Sequence, residues 1–395
     1  MAVKILSVDD EQDMEILLAQ FFRRKIKRGE YEFTFARNGV EALQLLLAKP
    51  DFDIILSDIN MPEMDGLTLL TKINEMRNPA LKCIVVSAYG DMENIRTAMN
   101  RGAFDFTTKP INLEDMETTI EKAVEQINFV KKAQKEHLQL ASIQSDLKVA
   151  GEIQQTILPK NFPPYPALKS FDIYASMKAA AYVGGDFYDF FLVDDEHLGF
   201  VIADVSGKGI PAAIFMAISR TVIRAIALAE NSPAICMMRS NHILCKESVN
   251  DMFVTAFYGI LNIQTGVVNY CNAGHNPPVF INKNAEPFFI PLTGDCILGA
   301  VPDLVFHSNR ICLEAGDTIL LYTDGVTEAM NGEKELFGNK RLLDKCRSLA
   351  NLSPNDVIGN ITKSIDEFTA ENPLADDVTL LAINYNGCVK RISAI

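Results

Sequence analysis

The chain of 395 residues has no tryptophan, only five histidines, and eight cysteines with no Cys-x-x-Cys pair among them. Thiols without a pairing pattern, and without metal-ligand spacing to a histidine, exclude a disulfide scaffold or a zinc ribbon. They read as reduced groups, and the expected compartment is the cytoplasm. Positive charge is also short, with 37 Lys and Arg against 51 Asp and Glu and a net charge of −14. That balance argues against nucleic acid or an anionic membrane as partner. No signal-like segment precedes the first apolar run at Lys4. The most apolar stretch, Pro211 to Ala229, carries Arg220 and Arg224 in its middle and reads as a buried helix, not a membrane span. The one basic cluster, Arg23, Arg24, Lys25, Lys27 and Arg28, closes a helical stretch, where cations are favoured without any partner. Repeats and low-complexity segments are missing too. With hydrophobic residues at 48%, the chain has apolar material for two cores.

What is present is acid in specific places. Asp186 stands in Val-Gly-Gly-Asp-Phe-Tyr-Asp, Asp204 in Val-Ile-Ala-Asp-Val-Ser-Gly-Lys-Gly, Asp324 in Leu-Leu-Tyr-Thr-Asp-Gly-Val and Asp376 in Ala-Asp-Asp-Val-Thr-Leu-Leu. Leu198 to Ala203 and Thr318 to Tyr322 are β-rich runs that end near an Asp, and Val378 to Ile383 begins just after the Asp376–Asp377 pair. A carboxylate at a strand end is held by a rigid sheet yet faces solvent, as a ligand of a hard cation must. Several in one space repel unless a divalent cation neutralises them. Any single Asp-Gly pair is also explained as a turn; the four together point to a metal site for hydrolysis.

These residues resemble the metal-dependent protein phosphatases of the 2C type, in the subgroup typified by the stage II sporulation protein E phosphatase. The resemblance runs from about Ile153 to Tyr385 and includes Ile-Leu-Pro at 157–159, Asn-Ala-Gly-His-Asn-Pro-Pro at 272–278 and Glu-Leu-Phe-Gly at 335–338. It implies an α+β domain, a β-sandwich flanked by helices, with two Mn²⁺ or Mg²⁺ ions. Asp204 would bridge them, the Val205 carbonyl would complete one coordination shell, Asp324 and Asp376 would hold the second ion, and Asp186 would support the first through ordered water. The implied reaction is direct hydrolysis of phosphoserine or phosphothreonine by an acidified water, without a phosphoenzyme. Ser206 stands where the eukaryotic enzymes have a histidine, so the leaving group has no evident proton donor. Lys208 is either a phosphate contact or a solvated lysine of a glycine turn. His275 reads as structural and is left outside the site, because hard cations prefer oxygen.

The first part of the chain alternates five apolar runs with amphipathic helical stretches at Met14 to Lys27, Gly39 to Ala48, Leu67 to Glu75, Met92 to Asn100 and from Leu113 onward. Strand ends at Asp9-Asp10-Glu11, Ser57-Asp58, Ser87 and Lys109-Pro110 place polar groups at the carboxyl edge of a parallel sheet. This constellation resembles the receiver domain of two-component response regulators, a flavodoxin-like α/β fold with a five-stranded parallel sheet. The resemblance implies Asp58 as phosphoacceptor, and a Mg²⁺ pocket of Asp9, Asp10, Asp58 and the Asn60 carbonyl. Ser87 and Lys109 would bind the phosphoryl group, Phe106 would be the aromatic switch, and a sensor histidine kinase or phosphotransfer protein would be the donor. A nucleotide or flavin domain of the same class is disfavoured by the lack of a glycine-rich phosphate loop.

The expected organisation is a receiver over 1–127, a helical linker over 128–158 and a phosphatase 2C-like domain over 159–395. Apolar residues recur at helical spacing over Met116, Ile120, Ala123, Ile127 and Val130, and again over Leu140, Ile143, Leu147, Ala150 and Ile157, with a register slip at Gln134 and His137. A coiled-coil homodimer stalk and packing within one chain both fit. The combined expectation is a response regulator whose output is a serine/threonine phosphatase, with an anti-sigma-factor antagonist as the substrate type the resemblance implies. The alternative is a catalytically silent phosphatase-like adaptor that binds a protein target. A DNA-binding regulator would need a basic recognition helix, and none follows the receiver.

Overall fold

The computed structural model describes residues 2–88, 91–248, 251–370, 372 and 374–387, so Cys388 and the expected domain end at 395 lie outside the described residues. The chain forms two compact units, Met1–Ile143 and Gln144–Ile395.

In the first unit, β1 (Val3–Val8), α1 (Gln12–Phe21), α2 (Arg23–Lys27), β2 (Tyr31–Ala36), α3 (Gly39–Ala48), β3 (Ile54–Asp58), α4 (Gly66–Glu75), β4 (Lys82–Ala88), α5 (Met92–Asn100) and β5 (Asp105–Lys109) alternate. The sheet is parallel throughout in the order β2-β1-β3-β4-β5. Helices cover both faces: Leu6, Ile55 and Val85 point into one core, Ile5, Ile54 and Ile84 into the other. That is why these strands read as continuous apolar runs. Side chains fix the helix starts. Asn38 accepts from the Glu41 N–H at 2.8 Å while Glu41 accepts from the Arg37 N–H, and Asp65 accepts from the Thr68 N–H at 2.7 Å. Each such cap stabilises by about 1 kcal/mol. The single helix expected over Met14 to Lys27 is instead two, parted at Phe22, which is buried against Tyr31 and Phe33.

A single helix, α6 (Leu113–Ile157), carries the chain on for 45 residues. Its stripe of Met116, Ile120, Ala123 and Ile127 is buried in the receiver core. After that Phe129, Leu138, Leu140 and Ile143 are exposed. The register slip is therefore the place where a stripe packed against the receiver sheet gives way to one that is not.

The second unit contains β6 (Phe171–Lys178), β7 (Phe187–Leu192), β8 (His197–Val205), α7 (Ile210–Ala227), α8 (Pro233–Glu247), β9 (Val254–Asn262), β10 (Val267–Ala273), β11 (Val279–Ile281), β12 (Phe288–Phe289), β13 (Asn309–Cys312), β14 (Thr318–Tyr322), α9 (Asp324–Thr327), α10 (Gly338–Cys346), α11 (Pro354–Thr369) and β15 (Val378–Tyr385). Two antiparallel sheets form, β13-β10-β9-β8-β7 and β12-β11-β14-β15-β6. Period-two alternation sorts the second sheet: Ile319, Leu321, Leu381 and Ile383 face the core shared with the first sheet, while Leu320, Tyr322, Leu380 and Ala382 face α10 and α11. The first sheet carries α7 and α8. The helix expected to be buried over Pro211 to Ala229 is buried on one face only. Ala212, Phe215, Met216, Ser219, Ile223 and Ala227 point inward, while Ile210 and Ile214 are exposed. Arg220 and Arg224 both pair with the buried Asp189 of β7, at 3.0 and 2.7 Å.

Candidate functional site

Two acidic centres emerge, one in each unit. In the receiver, parallel register sets Val8 opposite Ser57, Asp58 opposite Val86 and Ala88 opposite Lys109, so the groups that follow these strands share one edge. The ligand oxygens of Asp9, Asp10 and Asp58 all lie within 4.8 Å of one another. The Lys109 ammonium sits 2.6 Å from Asp58 and 3.1 Å from both Asp9 and Glu11. Burial opposes its charge, but these hydrogen bonds outweigh burial and hold Lys109 above the usual lysine range. Burial pushes the Asp9 carboxyl up, against hydrogen bonds from the Glu11 backbone and Lys109. The Asn60 N–H donates to Asp58 at 3.3 Å. Ser87 Oγ is buried with no partner among the described residues, and Phe106 is partly exposed. Gly66 is required here, since a Cβ would stand 2.1 Å from the Asp58 carbonyl oxygen.

In the second unit, Asp204 and Val205 end β8, Asp186 precedes β7, Asp324 opens α9 and Asp376 precedes β15. Asp186 is buried and accepts from the Thr323 hydroxyl at 2.7 Å. Burial and the neighbouring Asp204 raise its pKa well above the carboxylate range. Asp204 is pushed up to about 7, first by burial and then by Asp324. Asp324 is raised by burial, then by Glu328 and Asp376. Carboxyl groups raised by burial and by acidic neighbours offer an all-oxygen donor set of the kind that suits hard divalent cations, whose charge would relieve the repulsion. Among the described residues, however, no three of these carboxylates bring ligand oxygens within 4.8 Å of each other, as the receiver trio does. Lys208 pairs with Asp376 at 2.8 Å, which holds its ammonium above the lysine range. Ser206 Oγ accepts from the Phe253 N–H at 2.9 Å and so serves the turn after β8.

Several residues that sequence reasoning passed over hold this centre together. Asp377 is buried and accepts from the Ala180 and Gly185 N–H groups at 2.8 and 2.7 Å. A Cβ on Gly184 would meet Asp377 at 2.2 Å, and one on Gly185 would meet the Val205 carbonyl at 2.8 Å, so the glycine pair is what lets the Asp186 loop close. Gln154, buried near the end of α6, binds Gly184 through both backbone groups, donating at 2.6 Å and accepting at 2.9 Å. Gly151, one helical turn earlier, lies against the Tyr182 carbonyl, with no room for a side chain. The glycine pair beside Asp186 was the only visible hint of these contacts.

A sequence profile for stage II sporulation protein E (SpoIIE) matches residues 194–386, and one for the response regulator receiver domain matches residues 5–121. The phosphoserine phosphatase RsbU of Bacillus subtilis is 30% identical over 259 residues, which cover 64% of this chain and 74% of RsbU. Protein IcfG of Synechocystis is 30% identical over 276 residues, 61% of this chain and 42% of IcfG, so the chain spans less than half of that relative. The SiaA-PP2C domain of Pseudomonas aeruginosa shares the fold at 21% identity and a TM-score of 0.55, covering 62% of this chain and 98% of the domain. The RsbU and RsbW domains of Rv1364c from Mycobacterium tuberculosis superpose with a TM-score of 0.50 at 29% identity, covering 55% of this chain and 61% of that one. With a receiver domain matched over residues 5–121 and RsbU 30% identical and covered over 74% of its length, the chain belongs to the SpoIIE family of 2C-type serine/threonine protein phosphatases, joined to a response regulator receiver domain.

Proposed function

We propose that a sensor kinase or phosphotransfer protein phosphorylates Asp58, and that this controls hydrolysis of phosphoserine or phosphothreonine on a regulatory protein, of the anti-sigma-factor-antagonist type, in the cytoplasm. The observation that carries the control is the seat of α6: one helix leaves the receiver core and ends with Gln154 bound to both backbone groups of Gly184, two residues before Asp186. A shift of that helix would move the loop that presents Asp186. Phosphoryl charge on Asp58 would recruit Lys109 and the buried Ser87 hydroxyl, and Phe106 would follow.

Asp186, Asp204, the Val205 carbonyl, Asp324 and Asp376 would hold two Mn²⁺ or Mg²⁺ ions, and Asp9, Asp10, Asp58 and the Asn60 carbonyl one Mg²⁺. When bound, the phosphatase cations supply Lewis acidity for water attack and neutralise charge on the phosphoryl oxygens. The protein's own part is to hold the carboxylates: Thr323 orients Asp186, and Asp377 fixes the Gly184–Gly185 turn. The exposed stripe of Leu140 and Ile143 on α6 supports a homodimer. Sedimentation should give twice the chain mass; a monomer at all concentrations would defeat that part. The test of function is Mn²⁺-dependent phosphate release from phosphoserine proteins by the full chain. Its absence, unaltered by Asp204→Ala, would favour the adaptor.

A further inference from the structure

His275 is buried in the loop after β10, and its ring connects the two sheets. Nε2 lies 3.2 Å from the Tyr322 carbonyl at the end of β14, and Nδ1 lies 2.8 Å from the Thr255 hydroxyl of β9. A carbonyl only accepts, so Nε2 carries the proton; Nδ1 is then an acceptor, and the Thr255 hydroxyl donates to it. The loop itself is fixed by Asn272, which accepts from the His275 N–H at 2.8 Å and donates to its carbonyl at 3.0 Å.

Both ends of this strut meet the acidic centre. Thr255 is the cross-strand partner of Asp204, so the two side chains share a face of the sheet about 5 Å apart at Cβ. Tyr322 precedes Thr323, whose hydroxyl holds Asp186, and Asp324 follows. Asp204 lies in β8 of the first sheet and Asp324 follows β14 of the second, and among the described residues the His275 ring hydrogen-bonds both sheets beside them. We infer that His275, with Thr255, is a positioning residue that sets the separation of Asp204 from Asp324 and thereby the cation affinity of the centre. The inference rests on reading the aspartates as a metal site.

The test is a Mn²⁺ titration of the full chain followed by electron paramagnetic resonance, counting only the binding that Asp204→Ala removes, alongside thermal unfolding. His275→Gln is expected to weaken that binding about tenfold, the scale for groups that orient metal ligands. Thr255→Val, which removes one hydroxyl and leaves the link to Tyr322, is expected to weaken it about threefold at an unchanged unfolding midpoint, with KM for a small phosphate ester unchanged. If His275→Gln does not fold, Thr255→Val decides. Folded variants that bind Mn²⁺ like the parent would make His275 an ordinary core residue and overturn the inference alone. A parent chain whose Mn²⁺ binding ignores Asp204→Ala would overturn the metal reading and this inference with it.

Discussion

The two acidic centres differ in how their charge is held. The receiver pocket gathers its carboxylates from the ends of adjacent parallel strands and places the Lys109 ammonium among Asp58, Asp9 and Glu11. The carboxylates of the second centre lie in or beside strands of both sheets, and there Lys208 pairs with Asp376 and donates to the Ala375 carbonyl. One centre is organised by its own cation. The other is organised by the neutral struts Thr323, Gln154 and His275 and by the buried Asp377 turn, and its Asp204 carboxyl is pushed up to about 7. A covalent switch suits the first arrangement and a site built for exogenous cations suits the second.

The sharpest way to break this contrast is to disable each centre separately. Asp58→Asn should abolish labelling by a small phosphoryl donor while Mn²⁺ binding at the phosphatase centre persists, measured by autoradiography and metal titration. Loss of that binding in the variant would show that the centres are not independent. Asp204→Ala should lower Mn²⁺-dependent phosphate release by at least about a thousandfold, several kcal/mol of lost transition-state stabilisation, and leave Asp58 labelling intact. A tenfold loss or less would shift the chemistry away from Asp204.

The neutral struts give a pH test. Burial holds the His275 imidazole at about 4, below its ordinary value of 6.5. The unfolded chain therefore takes up this proton first as pH falls, so the stabilisation is complete above 6.5 and is lost progressively down to about 4. The size is roughly 3 kcal/mol. The difference in stability between the parent and His275→Gln, followed by denaturant unfolding of the phosphatase unit from pH 7 to 4, should shrink by that amount; a difference that is flat with pH would mean that the imidazole is not held neutral. A smaller effect is expected at the linker. Gln154→Leu keeps the bulk and removes both bonds to Gly184, and should cut the change in phosphatase rate on receiver phosphorylation about tenfold, with labelling of Asp58 unaffected. An undiminished response would move the coupling to another contact.

The receiver fold was legible because its polar groups sit at or near strand ends that a parallel sheet must align, with Asp58 ending β3, Ser87 one residue before the end of β4 and Lys109 ending β5. The four aspartates of the second unit stood out in the sequence for a related reason, since each flanks a β-rich run or a glycine turn. The struts were not. Asp377 acts on Ala180, 197 residues away in sequence, and Thr323 acts on Asp186, 137 residues away, so neither contact leaves a local pattern. Gln154 looked like one more polar residue of a helix, and a loop histidine gives no sign that its two nitrogens will meet different sheets. The helical stretch expected from Leu113 onward and the linker expected over 128–158 form one helix, Leu113–Ile157, and its use was not legible, because spacing alone does not distinguish a stripe buried on the receiver sheet from an exposed one.

The most direct test of the whole account is the rate of Mn²⁺-dependent phosphate release from a phosphoserine protein, measured on the full chain with and without a phosphoryl donor and repeated with Asp58→Asn. The account predicts a rate that changes with the donor in the parent and stays fixed in the variant. A parent rate indifferent to the donor, or a variant that responds like the parent, would contradict it.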